Sequence, residues 1–314
     1  MPAGTYLVSG VLAVPSGITL YGAGWNTVIK RKDNTSYSPI VSLASFSHLR
    51  DLCIDGNAAN QTVSAYAVLG YRVEHARVTN VKVYNNYGIG VGWSESADCV
   101  CTSVTVDGCK ANLPGFWNSR QTVGSFWRDG RHRYIDCVSI NNQLDGLILN
   151  TPNNTIIGGR YCKNGYGGSY GAALGAGGIY TEDGVVQDGL TIIGANCSDN
   201  TEQGINVSAN NAVIMGNTCN GNQLTGILLK GGTGLKCIGN TCNENGWYTG
   251  SSNPNVWLRA GITISPDVSH SVVANNTCVD RRGAATQEHG IRFGNNISTA
   301  TSVGLKFYGN LCDT

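Results

Sequence analysis

The sequence predicts an all-β chain wound as a right-handed parallel β-helix, a solenoid of about ten coils at roughly 22 to 35 residues each. Three observations carry the prediction. A pattern led by glycine, with two short apolar strands and a closing Asn-x-Cys, recurs along the chain. Glycine supplies 43 of 314 residues while charged residues make up 13%, a balance that favours turns and strands over helices. Twelve cysteines follow the recurring pattern instead of forming close pairs.

Two clean copies follow one another. One runs from Gly204-Ile205-Asn206-Val207 to Asn217-Thr218-Cys219 and the next from Gly226-Ile227-Leu228-Leu229 to Asn240-Thr241-Cys242, a period of 22 residues. Further copies start at Gly146, Gly178, Gly261 and Gly290, and weaker ones at Gly88 and Gly115. The stretch from glycine to cysteine stays at 15 to 22 residues, whereas the stretch from cysteine to the next glycine varies from 7 to 19, so insertions collect in one loop. Strands this short cannot bury an apolar face alone and must stack on their neighbours. The six-residue period of a left-handed hexapeptide helix is absent, which leaves the right-handed coil.

Stacked coils place equivalent residues above one another about 4.8 Å apart. Asn217, Asn240, Asn276 and Asn310 should then form a turn ladder, and Cys162, Cys197, Cys219, Cys242, Cys278 and Cys312 an internal one. Bonded Cβ atoms lie closer than such a stack permits, so mostly free thiols are expected. The only close pair is Cys99 and Cys101, with no Cys-x-x-Cys, so no metal site is expected. Alternation with period two turns Ile205 and Val207, Ile227 and Leu229, and their equivalents inward. The outward row reads Gly90 and Gly92, Trp117 and Ser119, Ile148 and Asn150, Tyr180 and Glu182, Asn206 and Ser208, Leu228 and Lys230, Thr263 and Ser265, Arg292 and Gly294.

The bulk properties exclude several partners. A net charge of +1 without a basic run gives no footprint for nucleic acid. No run of about 18 apolar residues offers a membrane span. Residues 1–6 lack the basic and apolar regions of a signal peptide. Residues 1–314 read as a single domain, with the alternative that they are a fragment of a longer chain.

Residues 4–32, including the runs 10–17 and 20–30, resemble the first coils of the pectate-lyase-like β-helix superfamily. Within it, the catalytic module of the mannuronan epimerases is the most similar scaffold. Cys53-Ile54-Asp55-Gly56-Asn57 and Asn142-Gln143-Leu144-Asp145-Gly146 are similar to scaffold segments of that module. The module's Tyr-Gly-Phe-Asp-Pro-His segment, whose Tyr, Asp and His are catalytic, corresponds to Tyr87-Gly88-Ile89-Gly90-Val91-Gly92. Only the tyrosine remains. The resemblance therefore implies the fold, and a groove along the glycine-led strands for an acidic polysaccharide, but not that epimerase chemistry.

The outward cluster Tyr180, Glu182 and Asp183, with Asp145 one coil earlier, is the candidate acid/base group. Two acids at a strand end also read as a solvated turn. Candidate substrate-binding residues are Tyr87, Trp117 and Asn150, with Lys230 and Arg292 to neutralise a uronate. The insertions 163–177 and 243–260 add Trp247 and Tyr248, beside Tyr166, Tyr170 and Trp257, whose rings suit sugars or pack the loops on the coil. The charged segment 128–134 contains His132, a proton exchanger or part of a solvated turn. His48, His75, His270 and His289 lack metal-ligand spacing. No cofactor is expected, and calcium bridging Asp145 and Glu182 to an acidic sugar is the one cation the reading admits.

The expected function is processing of an acidic polysaccharide by lyase or hydrolase chemistry. The competing reading is a non-catalytic carbohydrate-binding or adhesive spike, such as a phage tail-spike segment. Either implies a polysaccharide partner, a monomer or homotrimer, and an extracellular or virion-associated setting.

Overall fold

Three short strands per turn and an insertion at one corner fold here into a parallel coil with three sides. The computed structural model describes residues 1–119, 130–165, 176–182, 187–247, 259–282, 286–294 and 303–313. Among them every strand pairing is parallel, and the one short helix is the 3-10 turn Ala58–Asn60. Among the described residues no helix is long and apolar enough to cross a membrane.

The glycine-led side stacks eleven strands from Leu12–Val14 to His289–Phe293. A second sheet stacks twelve from Gly4–Val8 to Lys306–Tyr308. The third side is shorter: Thr105–Asp107, Val138–Ile140 and Arg160–Cys162 pair in turn, and single bridges at Asn196, Thr218, Thr241 and Thr277 continue it. Parallel crossovers of this kind take the right-handed sense.

The register expected from the repeat holds where the repeat is clean. Ile179 pairs with Ile205, Ile205 with Ile227, Ile227 with Ile262 and Ile262 with Ile291. The first four of these isoleucines are fully buried. Period-two alternation thus sends one face of each strand into a common core. In the weaker copy the start is Gly90, not Gly88. Val91 N donates to Gly115 O, and Trp117 stands opposite Gly92. The outward positions of that strand are therefore Gly92 and Ser94, while Gly90 joins the glycine row. Its slip of two residues preserves the facing and so left no trace in the alternation pattern.

The glycines are fixed by close approach. A Cβ on Gly178 or Gly204 would lie 2.6 Å from the carbonyl oxygen of the glycine one rung on. Inside the corner, Asn217, Asn240, Asn276 and Asn310 pass an amide hydrogen bond from rung to rung at 3.0 Å each. A second such ladder runs Asn142, Asn164, Asn200, Asn222 and Asn245. Its signal, an Asn four residues before Gly146, Gly204 and Gly226, was present in the sequence. Buried amides satisfied in this way avoid the cost of desolvation without a partner.

All twelve cysteines are free, and eleven are buried. Burial pushes their thiols upward, Cys137 to about 12, so they pack as small apolar groups. His132 is likewise interior, contrary to the reading of a surface proton exchanger. It is fully buried, stacks on Trp93 with ring centroids 6.3 Å apart, and accepts the Cys99 N–H at Nδ1. Loss of solvation holds its imidazole down at about 3, against a smaller opposing pull from Asp98. Its neighbour Arg131 points outward and holds Asp98 through two hydrogen bonds of 2.9 and 2.7 Å. Arg128 and Asp129 lie outside the described residues.

Candidate functional site

The outward face of the glycine-led sheet carries two parallel rows. One contains Leu69, Gly92, Trp117, Ile148, Tyr180 and Asn206. The other begins at Tyr71, Ser94 and Ser119 and continues through Asn150 and Glu182 to Ser208. The second row is almost wholly polar, and its members touch across rungs: Ser119 Oγ donates to Ser94 Oγ at 3.0 Å.

Glu182 stands just past the strand Ile179–Thr181, where its backbone N–H donates to Leu149 O at 3.0 Å. That bond extends the parallel ladder by one step and aims the side chain outward. Asn150 Nδ2 donates to Glu182 Oε2 in a short 2.5 Å hydrogen bond, and Asn150's own N–H is held by Asn118 Oδ1 at 2.6 Å. The carboxylate is thereby oriented on the same face as Tyr180, two residues back and half-buried. Glu182, Asn150 and Tyr180 are the sequence-selected residues that the fold brings together. Asp183 lies outside the described residues.

Asp145 occupies a different place. It is buried, aligned with Gly177, whose N–H it accepts at Oδ1. Loss of solvation, outweighing that hydrogen bond, pushes its carboxyl well above the usual carboxylate range. Asp145 lies level with Gly177, before the bend at Gly178, whereas Glu182 lies past the end of the strand Ile179–Thr181. No group of three or more metal-ligating side chains exists among the described residues.

The proposed substrate-binding residues scatter along the face. Trp117 lies one rung below Ile148, half-buried, with its Nε1 enclosed and unpaired. Tyr87 sits at the corner leading into Gly90, its carbonyl accepting Ala65 N–H. Tyr66, not Tyr87, covers Gly92, where an added Cβ would meet its ring at 2.4 Å. Lys230 lies in the strand Ile227–Thr233 next to a register shift and lines an open cavity of about 590 Å³ with Ser208, Asn210, Asp267 and Ser269. It is two rungs beyond Glu182, about 10 Å. Arg292 lies two rungs further, near Glu288 at 3.8 Å. In the row that leads from Tyr180 to Arg292, Asn206, Leu228 and Thr263 are buried, contrary to their expected outward exposure, so the row is not open along its whole length. Trp247 is fixed at another corner by donation to Gly221 O at 2.9 Å; Tyr248, Tyr166, Tyr170 and Trp257 lie outside the described residues.

Tyr71 and Ser94 were missed because the weak copy was started two residues early, whereas Ser119 stands in the outward row as expected. With Gly90 as its first residue, the same alternation selects Ser94 and, one rung below, Tyr71. Tyr71 is exposed, with the Arg72 guanidinium 5.0 Å from its ring centre.

No protein-family model and no curated protein sequence matches the chain. Solved structures do. The A-module of the Azotobacter vinelandii mannuronan C-5 epimerase AlgE6 aligns with a TM-score of 0.64 at 18% identity, covering 100% of this chain and 89% of that one. The periplasmic alginate epimerase AlgG aligns at 0.57 and 12%, covering 98% and 78%. The Dettilon tailspike protein aligns at 0.55 and 15%, covering 97% of this chain and 61% of that one. The chain is thus a right-handed parallel β-helix protein.

Proposed function

We propose that the glycine-led face is a track for an acidic polysaccharide and that Glu182 and Tyr180 perform acid/base chemistry on it. The observation that carries the reading is the Asn150–Glu182 hydrogen bond, which presents an oriented carboxylate beside a tyrosine on a polar, outward row. Similar folds in an epimerase of mannuronan and an epimerase of alginate support an acidic glycan, and the tailspike likeness supports an extracellular or virion-associated setting.

Elimination suits the site better than hydrolysis. Hydrolysis calls for two carboxylates flanking the bond, and Asp145, the other acid considered, is buried. In elimination one group removes the proton on the carbon beside the uronate carboxyl, a double bond forms, the bond to the glycosidic oxygen breaks, and a second group protonates that oxygen. Glu182 and Tyr180 supply such a pair, and Lys230 supplies positive charge along the same track.

The second reading, a binding or adhesive spike, draws on the neutral character of Ser94, Ser119, Asn150 and Ser208, which can hold a glycan without reacting. A panel of acidic and neutral polysaccharides separates the two. Ultraviolet absorbance from unsaturated ends supports elimination, reducing ends alone indicate hydrolysis, and retention on an immobilised glycan without product supports the spike.

A further inference from the structure

Away from the glycine-led face, an open cavity of about 450 Å³ is lined by Thr19, Phe46, Ser47, His48, His75 and Arg77. The strands Thr19–Tyr21, His48–Asp55 and Arg77–Tyr84 begin with Thr19, His48 and Arg77, which stack in register on consecutive rungs. Leu49 and Val78, the next residues on two of these strands, are fully buried, so alternation turns the row itself outward. No carboxylate lines the cavity.

The acids around it are engaged elsewhere. Asp51 accepts from Arg50 at 2.6 Å and from Asn80 at 2.8 Å, and Asp98 accepts from Arg131 at 2.9 and 2.7 Å. Glu74, beside His75, acts on the Arg131 guanidinium. Arg77 has no carboxylate partner among the described residues. Loss of solvation lowers the His48 imidazole, and Arg50 and Arg77 each add to that more than Asp51 opposes it. The surroundings of His48 are thus net positive, with its ring fixed by Thr79 Oγ1 at 3.0 Å from Nε2.

Phe46 is a second, independent observation. It turns the corner before His48 in left-handed backbone, at φ 61°. The same corner position on the following rungs holds His75, Asp98, Arg131 and Asn153, all polar. A bulky apolar residue is a strained choice for that backbone, and burial does not offset it. The side chain stacks on the His75 ring, centroids 5.1 Å apart, and Phe46 remains 61% exposed. An unpaired guanidinium, an imidazole and an exposed aromatic face thus converge on one cavity.

We propose that this corner binds one anionic sugar ring, its carboxylate or phosphate against Arg77 and His48 and its ring over Phe46. Charge-assisted hydrogen bonds hold the anion, the aromatic face suits the apolar side of a pyranose, and the cavity has the size of a small-molecule site. A bare anion would leave Phe46 unused, and a neutral sugar would leave Arg77 unused. The inference does not depend on Glu182 or the glycine-led face, which lies on another side of the coil.

Nuclear magnetic resonance titration of the isotope-labelled full chain with glucuronate, glucose 6-phosphate, glucose and acetate tests it. Glucuronate or glucose 6-phosphate should shift the amides of residues 46–48 and 75–77, the tighter of the two naming the charge, and glucose and acetate should each bind at least about 10-fold more weakly. Arg77→Gln should weaken binding at least about 10-fold. Phe46→Asn should weaken it too while raising the melting temperature, because Asn accepts left-handed backbone. Lys236→Gln, six rungs on in the same row, should change nothing. Acetate or glucose binding as tightly as the anionic sugars, shifts confined to the glycine-led face, or affinity indifferent to Arg77→Gln and Phe46→Asn overturns the proposal.

Discussion

The side-chain amide of Asn150 donates to the carboxylate of Glu182 across adjacent rungs, while the backbone of Asn150 is itself held by Asn118. A carboxylate gripped by a residue that is in turn gripped is an oriented group, and orientation is a large part of what catalysis needs. Asn150→Ala should therefore lower turnover about 10- to 100-fold with little change in melting temperature. Tyr180→Phe should lower turnover by about 100-fold or more. Steady-state kinetics on the polysaccharide found in the panel checks both.

Asp145 separates a structural acid from a catalytic one. Its buried carboxyl keeps a proton that the unfolded chain releases above the ordinary carboxylate range, so its contribution to stability is present at low pH and lost as pH rises towards its folded value. Asn offers the same acceptor to Gly177 N–H without that cost. Asp145→Asn should raise the unfolding free energy at neutral pH and leave activity intact. Urea unfolding and an activity assay on the same variant decide the matter.

His132 acts in the opposite sense. Its folded imidazole stays neutral down to about 3, whereas an ordinary one takes up a proton near 6.5. Stability should fall as pH drops through the interval between those values, by up to about 1.4 kcal/mol per pH unit from this group, and level off below it. His132→Gln should remove that dependence. Denaturant titrations of both proteins at pH 7, 5.5 and 4.5 measure the difference.

The asparagine ladder should be costly to interrupt. Asn240 donates to Ile214 O and Asn276 Oδ1 and accepts from the Asn217 backbone and side chain. Asn240→Ala strands several buried groups and should cost about 3 kcal/mol. Because Asn217 shares these bonds, the double substitution should cost less than the sum.

Thiol counting bears on the core. A bulky thiol reagent should modify about one cysteine in the native protein, the exposed Cys312, and all twelve after denaturation.

Much of this architecture was legible because the glycine row, the cysteine ladder and the alternation repeat in one chain. Ile205 and Ile227 announce their pairing by a 22-residue period, and they pair. Where the repeat weakens, at Gly88 and Gly90, alternation alone cannot detect a two-residue slip, since the same face stays outward. The site was legible only in part. Tyr180 and Glu182 follow from the period, but the burial of Asp145 does not, because its place beneath Gly177 depends on packing between coils. His132 was misread for a similar reason: its charged neighbours suggest solvent, while stacking beside Trp93 puts it in the core.

The most direct test of the central claim is Glu182→Gln on the polysaccharide the wild type attacks, with product formation and glycan retention measured side by side. Turnover should fall by about 100-fold or more while retention stays close to wild type, as befits a group that reacts with the glycan and does not merely hold it. Unchanged turnover would contradict the assignment of Glu182 and, with it, the glycine-led face as the seat of the chemistry.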